Sequence, residues 1–382
     1  MPMMVRHLLD DGRRQHGRAA AFGQPPCFRV RRSAQDKLAS GQARRVLLDA
    51  MTIGPSSLCE DEGRSGADSD RGAFMRLVLW VIAVLVLVSP VRAMSTTPDA
   101  GQTCAPAAST EAPRVIQTEL VGVPAWIRVP ARISAPPIVL WHGFGPPDNE
   151  EALMALLPLD DVPAVKVYLG LPMFGKRAPE EPGVLAQRQA ENLATGVFEP
   201  VVMGAAHELP DVVDVLRRRG CLQRGQGIGL FGFSAGGAAV LYALAEREVP
   251  VEAAVVLNAS TGLSASVAAY ERAAGRKFDW TPETRLLARR SDAIGRAADI
   301  AQATPPPALL IVHGAKDAMV DQTGAHALHR VLKPHYAGNG AGRLRLSIVP
   351  DLPHALRTPG DIAHARTLAG AWFLRFMARE DN

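Results

Sequence analysis

A serine set between glycines, Gly232-Phe233-Ser234-Ala235-Gly236, is the segment of this chain best suited to chemistry. The apolar run Ile228–Phe233 leads straight into it, and the helix-forming run Ala238-Ala239-Val240-Leu241-Tyr242-Ala243-Leu244 leads away. A nucleophile on a tight, strained strand-to-helix turn demands that context. Gly232 and Gly236 let strand and helix pack closely, so the Ser234 hydroxyl would stand above the sheet. A serine hydroxyl is a poor nucleophile at neutral pH. A neutral imidazole of pKa ~6.5 can take its proton, and a buried carboxylate can fix the imidazole tautomer. Such a set would attack an acyl carbon, form an acyl intermediate and release it to water. The plainer reading is a turn in which Ser234 only caps the helix.

The elbow Gly232-Phe233-Ser234-Ala235-Gly236-Gly237 resembles that of the α/β-hydrolase superfamily, in particular its dienelactone-hydrolase-like and prolyl-oligopeptidase-type members. The resemblance spans about residues 115–380 and implies an α/β-hydrolase fold with an acyl-enzyme on Ser234. It also implies roles for three further segments. Pro137-Ile138-Val139-Leu140-Trp141-His142-Gly143-Phe144-Gly145 reads as a buried strand ending in a His-Gly turn. By that match the backbone N–H of Phe144 joins that of Ala235 as an oxyanion hole, worth ~3–4 kcal/mol per donor. His142 precedes the nucleophile and reads as a structural hydrogen-bonder.

The superfamily order is nucleophile, acid, histidine. After Ser234, the apolar run Leu309–Val312 opens into His313-Gly314-Ala315-Lys316-Asp317-Ala318-Met319-Val320, which resembles the acid loop and makes Asp317 the acid. Asp321 is the alternative, although it suits a helix cap better. The last apolar run, Leu344–Val349, leads to Pro350-Asp351-Leu352-Pro353-His354, and the loop after the final strand is where the base belongs. His354 is therefore the expected base. His326, His329 and His335 fall in or beside an earlier helix, His364 falls on the terminal helix, and all four read as surface histidines. Asp351 lies too close to His354 in sequence to be its partner.

The elements that must position these groups follow from hydrophobic patterning. Strands are expected at Leu120–Val129, Pro137–Trp141, Val165–Leu171, Gly227–Phe233, Ala253–Leu257, Ala308–Val312 and Leu344–Val349. Continuous Val, Leu and Ile runs are those of strands covered on both faces. Helices are expected at Val184–Leu193, Pro200–Arg219, Ala235–Glu246, Gln322–Leu332 and Asp361–Met377. The alternation implies an α/β fold with a mostly parallel sheet and helices on both faces. Residues 261–305 are too long for a simple crossover and read as a small helical insertion, either a cap over the sheet edge or an elaborated crossover. Gly170-Leu171-Pro172-Met173-Phe174-Gly175 follows a strand and is a candidate lining for the pocket.

The 382 residues are 47% hydrophobic and 21% charged, the balance of a folded chain with a sizeable core. The net charge of +4 comes from the front. Residues 1–93 hold 14 of the 42 Lys and Arg and 9 of the 38 Asp and Glu, which leaves 28 basic and 29 acidic residues in 94–382. A near-neutral body gives no electrostatic reason to bind nucleic acid or an anionic membrane. Met75-Arg76, the twelve apolar residues Leu77–Val88 and Val91-Arg92-Ala93 read as a signal peptide at 75–93. That implies export to the periplasm or medium; the alternative is an uncleaved anchor. Residues 1–74 lack a sustained period and read either as translated upstream sequence, with Met75 the true start, or as a disordered tail. Residues 94–114 read as a linker, and 115–382 as the folded domain.

Of Cys27, Cys59, Cys104 and Cys221, only the last two follow the expected cleavage site. They are able to form a disulfide in an exported protein, tying the linker to the core, but spacing leaves the pairing open. No lipobox precedes Cys104, and no spacing of ligand residues points to a metal. The expected chemistry requires no cofactor.

The resemblance thus implies a serine hydrolase of carboxylic esters, lactones or thioesters, with a small acyl substrate as its partner. A prolyl-oligopeptidase-type peptidase is the enzymatic alternative; such peptidases commonly carry a large N-terminal propeller, for which 115–382 leaves no room. A non-catalytic binding protein on the same fold is the competing class, since one fold hosts many functions.

Overall fold

The structure is a computed structural model that describes Cys104 and residues 112–378. The expected signal segment at 75–93, residues 1–74, Cys27 and Cys59 lie outside the described residues, as does most of the expected linker. Among the described residues eight strands form one sheet: β1 (Arg114–Leu120), β2 (Val123–Val129), β3 (Ile138–Trp141), β4 (Lys166–Leu169), β5 (Ile228–Phe233), β6 (Val251–Leu257), β7 (Ala308–Lys316) and β8 (Leu344–Pro353). Their spatial order is β1-β2-β4-β3-β5-β6-β7-β8. The pairs β1/β2 and β2/β4 are antiparallel, and every pair from β4/β3 to β7/β8 is parallel.

The central strands bury both faces. Val139 and Trp141 enter one core, Ile138 and Leu140 the other; in β6, Ala254 and Val256 oppose Ala253, Val255 and Leu257. Successive side chains point to opposite faces of a strand, so a continuous apolar run feeds two cores at once. Helix α1 (Glu150–Leu156) and the terminal helix, Pro359–Met377, pack on one face through Leu153, Trp372, Phe373 and Met377. Helices α2 (Val184–Leu193), α3 (Gly204–Arg218), α4 (Ala235–Glu246), α5 (Leu263–Ala274), α6 (Pro282–Ser291), α7 (Ala297–Ile300) and α8 (Thr323–Leu332) lie on the other; the terminal helix is α9. Among the described residues no helix is long and apolar enough to cross a membrane.

Two expectations need correction, and one helix was not expected. The single strand at Leu120–Val129 is instead the turn and second arm of a hairpin. Val121 and Gly122 both have positive φ, 53° and 79°, as a two-residue turn between antiparallel strands requires. Valine is a rare occupant of that conformation, so Leu120-Val121-Gly122-Val123 reads as unbroken strand. The helix expected from Pro200 instead begins as a wide helical segment, Ala194–Met203, that continues into α3. Asn192 leaves helical geometry and its Oδ1 accepts the Ala194 and Thr195 N–H groups, which restarts the helix upstream of the proline. Helix α1 has no counterpart among the expected elements, although Asn149 caps it by accepting the Ala152 N–H at 2.8 Å.

The insertion contains α5, α6 and α7. Arg272 of α5 donates to the Met319 carbonyl at 3.1 Å, and Arg276 donates to the Ala190 carbonyl at 2.5 Å. Cys104 and Cys221 form a disulfide, with their Cα atoms 5.1 Å apart.

Candidate active site

Ser234 stands between β5 and α4 with φ 54° and ψ −115°. A residue bearing a Cβ holds such strain only where its surroundings over-determine it. Here the Ser234 N–H donates to the Leu257 carbonyl at 2.9 Å, and the Gly236 N–H to the His142 carbonyl at 3.1 Å. The approach is too close for larger residues. A Cβ on Gly232 would strike the Gly236 carbonyl, and one on Gly236 the carbonyls of Trp141 and His142.

The hydroxyl raised by that turn meets an imidazole. Ser234 Oγ lies 3.0 Å from His354 Nε2, and His354 Nδ1 lies 2.7 Å from Asp317 Oδ2. The carboxylate only accepts, so Nδ1 carries the proton and Nε2 is left to accept from the hydroxyl. His354 is buried, at 6% exposure, and leaves β8 at its carboxyl end; Asp317 follows β7. The parallel order β5-β6-β7-β8 brings these strand ends to one edge of the sheet, where ligand sites of open α/β sheets belong.

Asp317 is held as a carboxylate by four donors. Its Oδ1 accepts the Met319 and Val320 N–H groups, both at 2.9 Å, while Oδ2 faces His354 Nδ1 and, at 3.4 Å, His313 Nε2. Burial by itself would raise the pKa. The hydrogen bonds from His313 and His354, attraction to the His354 ring when it is protonated and the Val320 N–H outweigh it and hold the group well below the usual carboxylate range.

His142 is fully buried, and its two nitrogens are assigned by their partners. The Leu171 N–H donates to Nε2 at 3.0 Å, so Nδ1 must bear the proton that goes to the Gly143 carbonyl at 2.7 Å. Burial lowers its pKa to about 4, so the ring is neutral at pH 7. That bond has a consequence for the elbow. The Gly143 carbonyl and the Phe144 N–H lie on opposite edges of one planar peptide, so pinning the first aims the second. Gly143 itself abuts the nucleophile: a Cβ built on it would lie 3.0 Å from Ser234 Cβ. Ala235 is the first residue of α4, and its N–H has no acceptor within the helix.

The other residues weighed from sequence lie elsewhere. Asp321 is exposed and accepts the Thr323 N–H at 2.6 Å, a capping contact at the start of α8. Asp351 pairs with Lys316 at 2.7 Å. His326, His335 and His364 are exposed, and His329 is half-buried on α8. Phe144 stacks on Phe174 with ring centroids 5.0 Å apart, and Phe174, Met173 and Gly175 line an open cavity of about 310 Å³ with Ala178, Pro179 and Leu185.

Two buried polar residues beside the site escaped the sequence reading. His313 stands at the start of the acid loop, and a histidine next to the buried end of an apolar strand is its signal. Asn258 follows the apolar run of β6, and a polar residue at the carboxyl end of a central parallel strand is the mark that would have found it.

The fold is that of the α/β-hydrolases, and at its strand-to-helix turn Ser234, His354 and Asp317 form one hydrogen-bonded chain. Residues 205–380 match the prolyl oligopeptidase family. Among solved structures, the chain is similar to the Thermus thermophilus protein TT1662 at 21% identity and a TM-score of 0.52, over 68% of this chain and 98% of that one. It is also similar to the acylaminoacyl peptidase of Pyrococcus horikoshii at 18% identity and a TM-score of 0.50, over 72% of this chain but only 43% of the peptidase. At these identities the likeness is one of fold. No curated protein matches the chain.

Proposed function

We propose that the chain hydrolyses carboxylic esters through an acyl-enzyme on Ser234, with His354 as the base and Asp317 as the acid. The continuous path from Ser234 Oγ to His354 Nε2 and from Nδ1 to Asp317 Oδ2, at 3.0 and 2.7 Å, carries this reading. Ser234 Oγ attacks the acyl carbon as His354 Nε2 takes its proton, and Asp317 stabilises the imidazolium. The N–H groups of Phe144 and Ala235 receive the oxyanion. His354 then returns the proton to the leaving alcohol, and water repeats the steps to free the acid. Met173, Phe174 and Leu185 give the cavity beside Phe144 an apolar wall for an alkyl or aromatic substituent, and Asp148 and Glu181 in the same lining disfavour an anionic one.

A peptidase is the second reading, favoured by the match of residues 205–380 to the prolyl oligopeptidase family. A fluorophosphonate probe should label the protein and not Ser234→Ala; unlabelled, folded wild type would refute catalysis. Turnover of p-nitrophenyl esters set against aminoacyl p-nitroanilides decides between the substrate classes. Preference for the anilides would sink the ester proposal. Export is part of the same proposal, and a disulfide between Cys104 and Cys221 fits an oxidising compartment. An N-terminus at Met94 in the mature protein is the expected result of sequencing it.

A further inference from the structure

Asn258 makes three side-chain hydrogen bonds, and all go to the segments that carry the acid and the base. Its Oδ1 accepts the Gly314 N–H at 2.8 Å, and its Nδ2 donates to the carbonyls of Pro353 and His354 at 2.9 and 2.8 Å. The orientation of the amide is fixed by chemistry. An N–H only donates and a carbonyl only accepts, so the flipped amide would lose every bond. The Gly314 carbonyl in turn accepts the Asp317 N–H at 3.1 Å, so the amide reaches the acid loop through one residue. The preceding residue holds the nucleophile, since the Leu257 carbonyl accepts the Ser234 N–H. Leu257 and Asn258 thus touch all three segments of the candidate triad.

The backbone at this position is equally particular. Asn258 has φ 51°, and its N–H donates to the Val312 carbonyl at 3.0 Å. Asparagine is among the few residues with a side chain that tolerate the left-handed region. The residue is fully buried, so water does not replace a lost bond without rearrangement. Glycine would take the same φ but supply no bridge. Aspartate would keep the contact to Gly314 and set an oxygen against two carbonyl oxygens.

We propose that Asn258 is a positioning residue that holds the His354 and Asp317 loops in register with Ser234. It does not touch substrate. It acts by fixing the backbone at both ends of the Asp317–His354 hydrogen bond, where displacement by about 1 Å is enough to cost on the order of 100-fold in rate. The proposal rests on the hydrolase reading for its kinetic consequence and not for its structural one.

The test compares wild type with Asn258→Gly and Asn258→Asp. In the best ester substrate, Asn258→Gly should lower kcat by roughly 10- to 100-fold with KM changed less than about twofold, and Asn258→Asp should lower it at least as far. A proton NMR spectrum reads the same event without substrate: a low-field resonance of the His354 Nδ1 proton is expected in wild type and should broaden or vanish in both variants. Wild-type kcat together with an unchanged resonance in folded Asn258→Gly would overturn the proposal. Wild type that shows the resonance but neither turns over esters nor reacts with a fluorophosphonate refutes the hydrolase reading while the resonance still tests Asn258. Should both variants fail to fold, hydrogen exchange of the assigned Asn258 amide protons in wild type decides. Slow exchange is expected, and exchange at the rate of a solvated amide overturns the proposal.

Discussion

His313 Nε2 lies 3.0 Å from the Val320 carbonyl and 3.4 Å from Asp317 Oδ2. A carbonyl cannot donate, so this nitrogen carries a proton, and the one N–H faces both oxygens. The Asp317 carboxylate is therefore set between two imidazoles, and the loop that bears it is closed back onto β7. His313→Leu removes the donor from both partners. An expected loss of about 1–3 kcal/mol in urea unfolding follows from leaving buried acceptors unpaired. An unchanged midpoint would show that the contact contributes nothing.

Asp317→Asn should lower kcat by about 10³- to 10⁴-fold, because the amide neither fixes the imidazole tautomer nor stabilises its charged form. The same variant tests the electrostatics. Asp317 sits below its ordinary range in the fold. A carboxylate so depressed contributes stability that is complete above its unfolded pKa of ~4 and is lost as pH falls below that value. The stability gap between wild type and variant should therefore be constant from pH 7 to pH 5 and shrink below pH 4. A gap that widens in acid contradicts the assignment.

His142 also costs stability in acid, but over a higher pH interval. Its folded pKa is about 4 and its unfolded value ~6.5, so the unfolded chain binds more protons between the two. Stability is complete above pH 6.5 and drains by roughly 3 kcal/mol as pH falls to 4. His142→Leu should flatten that slope. It should also cut kcat about 10-fold or more through the freed Gly143–Phe144 peptide, since loss of an oxyanion donor costs ~10²–10³. Unaltered kcat would separate this histidine from the oxyanion hole.

The disulfide closes a separation of 117 residues. Cys221→Ser should destabilise the protein by roughly 2–4 kcal/mol, read as a lower Tm, and reductant should lower the wild-type Tm to the same degree. A wild-type Tm indifferent to reductant would argue against the bond.

The insertion is tied to the acid loop through Arg272 and the Met319 carbonyl, an exposed contact. Arg272→Ala is expected to change Tm little, by less than about 1 kcal/mol in stability, while raising KM for bulky esters. Equal KM values across an ester series would assign the insertion no part in substrate binding.

What sequence alone determined here was local. The elbow is legible because its signal is contiguous: an apolar strand, two glycines around Ser234, and a helix. The central strands are legible because burial on both faces demands unbroken apolar runs. Asp317 and His354 were reachable because a parallel sheet delivers its loops to one edge in chain order. Tertiary structure alone decided the rest. It chose His354 over the other histidines by distance, joined Cys104 to Cys221, and turned Val121-Gly122 into a hairpin. It also gave His142, His313 and Asn258 their partners. Residue type marks them as polar groups at buried strand ends, but the partners of His142 and Asn258 lie 29 to 96 residues away, and which segments meet is set by packing of the whole sheet.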